Sequence, residues 1–319
     1  MTQTLNKSLG ISFSSDKIKF TELSADGGLI KLSYADIIDV DFNFEDELWK
    51  YKSNQKVLTN ISGEIQKVLH KRGTYFSDIS VTLSTSQAFL MILPVDFSDG
   101  KSSINSKIYW ELSNYFPDNY SDYIVNTYRM NSLLPASHSD EFLVIAVLKN
   151  TLEFVKRIFK LCNINIKLID IDHFSAENAL RRNYPGRLNE SNILLVGLKD
   201  DRMDFGYIAD KKYSYFTYTN YLGRAPSEYN LTLTQKIRAM ISSPALKGGV
   251  DCIFLYGEEI RNDTLEALRK QNGFKVEVIN PFENIHASSG YLQDSELRKI
   301  QYNFAPSCGV ALRNMSLSF

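Results

Sequence analysis

The stretch "LGISFSSDKIKFTELS", Leu9 to Ser24, reads as two short strands folded on each other. Leu9–Phe13 and Ile18–Leu23 alternate or run apolar, and Ser14–Lys17 supplies the polar turn between them. A hairpin opening a large α/β chain is where many phosphate-binding folds hold ATP, and such hairpins carry a carboxylate and a glycine close to the turn. This one carries Ser12, Ser14 and Ser15 instead.

The chain has 319 residues, enough for two ordinary domains with real cores. Its 36 Lys and Arg balance 37 Asp and Glu, which argues against a general nucleic-acid binder. Most of the 18 Tyr and 19 Phe are expected in the core or on half-buried sheet faces. Cys162, Cys252 and Cys308 have no metal-ligand or redox spacing and read as small core residues, so an intracellular protein is expected. The polar start "MTQTLNKSLG" is no signal peptide, and the strand-sized run "FLVIAVL" is too short to cross a membrane.

After the hairpin, "GGLIKLSY" reads as a third strand entered through Asp26-Gly27-Gly28, and "IIDVDF" as an edge strand. Leu58, Ile61, Ile65, Val68 and Leu69 share one face of a helix over 57–69, closed by Arg72-Gly73, and "DISVTLS" returns as a strand. A β-α-β-β-α block follows. It comprises "AFLMILPV" ended by Pro94, a helix with Ile104, Ile108, Leu112 and Phe116 inward, the strands "DYIVNTYRM" and "EFLVIAVLK", and a helix over 150–162. "NSLLPASHSD" is the polar turn between those two strands. Then "IKLIDIDHFSAENALRR" runs strand into helix. Three strands ("NILLVGL", "RMDFGYIA", "KYSYFTYTN") lead to a helix, the strand "DCIFLYG", a helix, the strand "KVEVI" and a closing helix. Three strands in a meander, then helix, strand, helix, occur twice, from Leu9 and from Asn192, as a repeat of order without sequence identity. Two such halves hinge in the superfamily of actin, sugar kinases and heat-shock chaperones, where the two hairpin turns clamp phosphates.

The chain resembles the type IV pilus assembly protein PilM and its relatives, which are actin-like and similar to the division protein FtsA. The opening hairpin looks like that family's "LGIDIGxxxIKxxEL" start. In the inserted block the apolar strand and Pro94 lead to a helix with Trp110-Glu111 and the aromatic-Pro end Phe116-Pro117; "INPFENI" (279–285) and "FAPSCGVALR" (304–313) look like its C-terminal signature. The resemblance spans nearly the whole chain and implies an α/β, actin-like (duplicated RNase H-like, two-lobed) fold with a β-α-β-β-α subdomain inserted in the first lobe. The expected boundaries are 1–84 for the start of the first lobe, 85–165 for the insert, 166–185 for the connection and 186–319 for the second lobe with its C-terminal helix.

The family places an Asp and a Gly where Ser12 and Ser14 stand; the Asp holds metal and water around the phosphates, and the Gly lets backbone approach them. In the second hairpin Gly197 and Lys199 replace the Asp-x-Gly pair, and the adenosine loop keeps only Gly257, followed by Glu258 and Glu259. Two like charges at about 4 Å in an effective dielectric near ~20 repel by roughly 4 kcal/mol, so these glutamates oppose a triphosphate. Three degraded motifs imply a site that no longer hydrolyses ATP. If a nucleotide did bind, its contacts would be Ser12, Ser14, Ser15, Lys19, Gly197 and Gly257.

Other readings weigh a site against a plainer role. Lys17 and Lys19 could reach a phosphate but sit at a hairpin end, where lysines are usually solvated. Asp170 and Asp172 could be remnants of a metal site; helix capping by Asp172, or by Ser175, is preferred. Asp200 and Asp201 could hold a cation, but a polar hairpin turn explains them. His70, His138, His173 and His286 form no triad with a Cys or Ser, and Glu111 is read as structural. The run "KKYSYFTYTNY" (211–221) has aromatic residues on both faces and suits a strand with one face covered and the other half-covered, or a docking surface.

The leading expectation is therefore a non-catalytic actin-like scaffold, cytoplasmic and peripheral to the inner membrane through partners in a type IV pilus or related secretion machine. The resemblance implies binding of the short cytoplasmic tail of a PilN-like membrane protein, in a groove between the insert and the first-half sheet; periodicity alone names Phe89, Met91 and Ile108 as its walls. Other machinery proteins and a homo-oligomer are possible partners; nucleic acid, direct membrane insertion and a metal site are not expected. The alternative is a working ATPase with an atypical Mg-ATP site; a metabolite kinase lacks a convincing catalytic Asp.

Overall fold

The structure is a computed structural model that describes residues 6–73, 76, 78–96, 101–130, 139–221, 226–243, 246, 248–270, 274–287, 291 and 294–316. Among these residues the strands form three sheets. The opening hairpin is β1 (Asn6–Ser14) and β2 (Lys17–Asp26), paired antiparallel with Ile11 opposite Phe20, and β3 (Leu29–Asp39) continues the meander. The segment expected as a separate edge strand is the far half of β3, which stays paired to β2 across a register shift at Glu22/Leu23. Helix α1 (Gln55–Arg72) is capped by the Asn54 side chain and stopped by left-handed Gly73, and β4 (Asp78–Leu83) then pairs parallel with β1.

The inserted sheet has the order β5-β7-β6, from β5 (Ala88–Asp96), β6 (Tyr123–Arg129) and β7 (Ser139–Leu148). Pro94 does not end β5, because β5 lies at the edge of its sheet, where a missing amide hydrogen is tolerated. Helix α2 (Lys101–Tyr115) covers one face, with Ile108 and Leu112 buried against Leu93, Val95, Val144 and Ala146. Most of the "NSLLPASHSD" turn lies outside the described residues. Helix α3 (Lys149–Leu161) buries Phe154, Val155, Ile158 and Phe159 in the core of the first lobe, alongside α1, β1 and β4.

β8 (Asn165–Ile171) closes the first sheet, whose order is β14-β3-β2-β1-β4-β8, and runs directly into α4 (Asp172–Asn183). After the short α5 (Pro185–Glu190), the second half repeats the pattern: the meander β9 (Ile193–Leu198), β10 (Arg202–Ala209), β11 (Lys212–Asn220), then α6 (Pro226–Ile241), β12 (Cys252–Tyr256), α7 (Asn262–Arg269) and β13 (Lys275–Val278). Its sheet has the order β11-β10-β9-β12-β13. All six residues of β9 and all eight of β10 are buried, as expected of central strands covered on both faces. On β11, Tyr213 and Phe216 are buried while Tyr218 is exposed, the half-covered aromatic strand expected.

The chain then returns to the first sheet. β14 (His286–Ala287) pairs with β3, and after α8 (Ser295–Lys299) the last helix, α9 (Ala305–Ser316), lies on β1, β2 and β4 and along α4. The approach is close enough to require small residues: a Cβ at Gly309 would overlap the Ser175 carbonyl, and one at Gly10 the Ser307 carbonyl. Paired helices α4 and α9 thus form the seam between the two sheets. The turns β1–β2 and β9–β10, the ends of β4 and β12 and the start of α4 meet across one cleft.

Candidate functional site

The cleft is where the sequence-predicted nucleotide residues come together, and the protein's own side chains fill it. Lys199, in the β9–β10 turn of the second lobe, is buried with its ammonium 2.6 Å from Asp172 Oδ2 and 3.2 Å from Asp204 Oδ2. It also donates to Ser84 Oγ and Thr85 Oγ1, each at 2.9 Å, just past the end of β4. Thr85 ties the lobes a second time, its amide donating to Asp172 Oδ1 at 3.2 Å and its hydroxyl to Asp204. Arg202 donates from Nε to Asp204 Oδ1 at 2.8 Å and lays its guanidinium over the Tyr218 ring, 3.7 Å from the centroid.

Two cations and two carboxylates balance one another here. Burial would lower the Lys199 ammonium, but Asp172 and Asp204 outweigh it and hold the pKa well above the ordinary lysine value. Burial works to raise the Asp204 carboxyl, and Lys199 with Arg202 overcomes that, leaving it well below the carboxylate range. Asp172 has one cation for company; burial dominates and pushes it up to about 6. His173 beside it is fully buried and lowered by burial to about 4, so it is neutral, with Nδ1 2.9 Å from the Tyr256 hydroxyl.

The first hairpin is likewise occupied. Ser15 adopts a left-handed conformation at the turn, φ 49°, and its amide donates to Glu45 Oε1 at 3.3 Å, while Ser86 donates to the other oxygen of Glu45. An internal carboxylate thus takes an amide of the kind that receives phosphate in such hairpins. Lys19 does not reach free space: it is buried and ion-paired to Glu258, just after β12 in the second lobe. Ser12 and Ser14 are buried, and Ser12 Oγ has no hydrogen-bond partner among the described residues. A Cβ on Gly197 would lie 2.5 Å from the Tyr256 hydroxyl, so the tyrosine fills the space an aspartate there would need. Gly257, φ +107°, passes so close to the Leu198 carbonyl that no side chain fits.

Several sequence readings change. Asp172 is the first residue of α4; its Oδ1 accepts from the first-turn amide of His173 at 2.7 Å, as capping requires, and its carboxylate also serves Lys199 and the Thr85 amide. Asp170 accepts from Ser175 and Arg313 rather than facing a metal. Among the described residues no group of three or more His, Cys, Asp or Glu side chains could hold a metal ion. Lys17 is the exposed edge charge expected, paired with Asp16 and Asp39. Ser84, Thr85, Glu45 and Tyr256 escaped the sequence reading. No motif marks them, although the unusual Gly197-x-Lys199 pair was a signal that something must neutralise a lysine at that turn.

The expected groove walls are corrected as well. Phe89, Met91 and Ile108 lie on the α2 side of the inserted sheet, where Ile108 is core and Phe89 packs against Phe116 with centroids 5.0 Å apart. The period of two sends their neighbours to the opposite face. There a groove of about 330 Å³ separates β6 and β7 from the free edge of β8. Ile124, Ile145, Leu152, Ile166 and Ile169 line it, with Lys156 and Lys167 beside them.

Two lobes of repeated topology, joined by paired helices and bearing an inserted sheet, define an actin-like protein. The family model for the type IV pilus assembly protein PilM matches residues 10–233, and the chain belongs to that family. Among solved structures it is similar to the PilM–PilN type IV pilus biogenesis complex, with 15% identity, TM-score 0.75, and 96% of this chain and 98% of that chain covered. It is also similar to the cytoplasmic domain of EpsL, an inner-membrane component of the type II secretion system of Vibrio cholerae, with 10% identity, TM-score 0.50, and 88% and 92% covered. The ethanolamine utilization protein EutJ from Carboxydothermus hydrogenoformans matches at 8% identity, TM-score 0.51, covering 96% and 89%. No curated protein sequence matches the chain. No helix among the described residues is long and apolar enough to cross a membrane.

Proposed function

We propose that this protein is a non-catalytic assembly scaffold of a type IV pilus or related secretion machine. It works on the cytoplasmic face of the inner membrane and binds the short tail of a PilN-like membrane protein. The observation that carries this reading is the Lys199 cluster: a buried ammonium neutralised by Asp172 and Asp204 occupies the cleft between the two hairpin turns. Glu45 on the Ser15 amide and Glu258 on Lys19 point the same way, because an incoming triphosphate would have to displace both carboxylates.

The tail is assigned to the groove between β6 and β8. Both are edge strands, so an extended peptide has a sheet edge to join and apolar side chains to pack against. That the PilM of the solved complex is a partner of PilN supports the choice of ligand. Phe89, Met91 and Ile108 act from behind, holding α2 on the sheet that forms one wall.

The test is fluorescence anisotropy with a labelled peptide of the PilN-like tail, alongside thermal melts with and without Mg-ATP. Tail binding lost in Ile124→Asp, and melts that Mg-ATP leaves unmoved, are the expected results. ATP turnover by the purified protein would overturn the non-catalytic reading, and undiminished binding by Ile124→Asp would overturn the groove.

A further inference from the structure

A second cavity lies at the other end of the α4–α9 seam from the cleft, about 490 Å³ in volume. Its floor is apolar, formed by Ala25 and Ile30 on either side of the β2–β3 turn and by Leu312 and Met315 in the last turns of α9. Its rim carries three guanidinium groups, Arg181 and Arg182 from the end of α4 and Arg313 from α9. The size suits a few side chains of a bound segment.

The three arginines are not equally engaged. Arg181 is tied to Glu177 and donates to the Lys211 carbonyl at 2.6 Å; Arg313 donates to Asp170 at 2.7 Å. The guanidinium of Arg182 is exposed and makes no ion pair or hydrogen bond among the described residues. Lys31 and Asp26 at the nearby turn neutralise each other. The rim therefore holds three positive charges against two carboxylates, with one planar fork free. The ends of α4 and α9, the negative ends of their dipoles, converge here. That favours a singly charged carboxylate held by a guanidinium over a doubly charged phosphate.

We propose that this cavity is a docking site for an acidic peptide segment of a partner protein, one in which a carboxylate neighbours an aliphatic or aromatic side chain. The carboxylate pairs with Arg182, and the apolar side chain enters between Ile30, Leu312 and Met315. The site is separate from the β6–β8 groove, so one scaffold could hold two partners at once.

The probe is a fluorescein-labelled pentapeptide alternating aspartate or glutamate with leucine and phenylalanine, with its asparagine/glutamine counterpart as control, read by anisotropy. The acidic peptide binds the wild-type chain, the amide peptide does not, and Arg182→Glu weakens binding by about tenfold or more. Ile30→Asp, on the apolar floor, weakens it comparably while leaving Arg182 in place. Equal binding of acidic and amide peptides, no effect of Arg182→Glu, or no binding by the wild type overturns the proposal. So does Arg182-dependent sedimentation with phosphatidylglycerol vesicles in place of peptide binding, which would make the surface a lipid contact.

Discussion

The cleft and the β6–β8 groove lie close together in the same fold and answer water in opposite ways. In the cleft the buried cations are matched from within: Lys199 and Arg202 against Asp172 and Asp204, Lys19 against Glu258. In the groove partly exposed apolar side chains and the outer edges of β6 and β8 line a cavity. A buried polar site that closes on itself gains nothing from a ligand, because binding must first undo what is already made. An unfilled apolar groove between two strand edges gains area and backbone hydrogen bonds from an extended peptide. Sharing the actin-like fold therefore does not say which cavity a given member uses; the local balance of charge does.

That contrast can be broken most forcefully at Lys199. Lys199→Met leaves two buried carboxylates facing each other, and a loss of about 3–5 kcal/mol is expected in urea denaturation. Adding Asp172→Asn, which leaves Asp204 paired with Arg202, should recover much of it; if Lys199→Met costs nothing, the cluster does not hold the lobes. Gly197→Asp, restoring the acid of nucleotide-binding relatives, should cost about 1–3 kcal/mol by collision with Tyr256. Pairing it with Tyr256→Ala should cost less than the sum of the two single changes, a coupling that a double-mutant cycle measures. In the groove, Ile124→Asp should weaken the PilN-like tail by about tenfold or more, roughly 1.4 kcal/mol, without lowering the melting temperature, since Ile124 is exposed.

The smallest effect concerns pH. His173 takes its proton near 6.5 when unfolded but only near 4 when folded. Between those values the unfolded chain holds more protons, so this stabilising contribution is full above about 6.5 and falls away as the pH drops toward 4, by about 3 kcal/mol at most. Asp172 opposes it: its carboxyl is raised from 3.8 to about 6, so its contribution is full below 3.8 and is lost as the pH rises through 6. The two nearly cancel in the wild type. His173→Gln should unmask Asp172, making the protein more stable on acidification from pH 6 to 4, while Asp172→Asn should steepen the acid loss. Parallel melting curves for all three proteins over that range would show that neither group titrates as its burial implies.

Much of the fold is legible along the chain because it rests on short-range rules. The alternation in Leu9–Phe13, the helical spacing of Leu58, Ile61 and Ile65 and the stop at Gly73 each follow from a few neighbouring residues. The period of two in "AFLMILPV" likewise shows that Phe89 and Met91 share a face. It does not show which of the two faces α2 covers. The cleft was legible only in part. Ser12, Ser14, Gly197 and Lys199 stand out at the two hairpin turns, whereas Thr85 and Asp204, 119 residues apart in sequence, have nothing local to connect them.

From sequence alone came the two-lobed order of elements and the family, since periodicity and turn chemistry act over a few residues. Only the folded chain showed what lies between the hairpin turns: an ammonium must be neutralised wherever it is buried, and its partners are set by which chain ends meet across the cleft. Lys199 finds Asp172 and Asp204 because α4 and the β9–β10 hairpin arrive at the same place, and no spacing along the chain records that meeting.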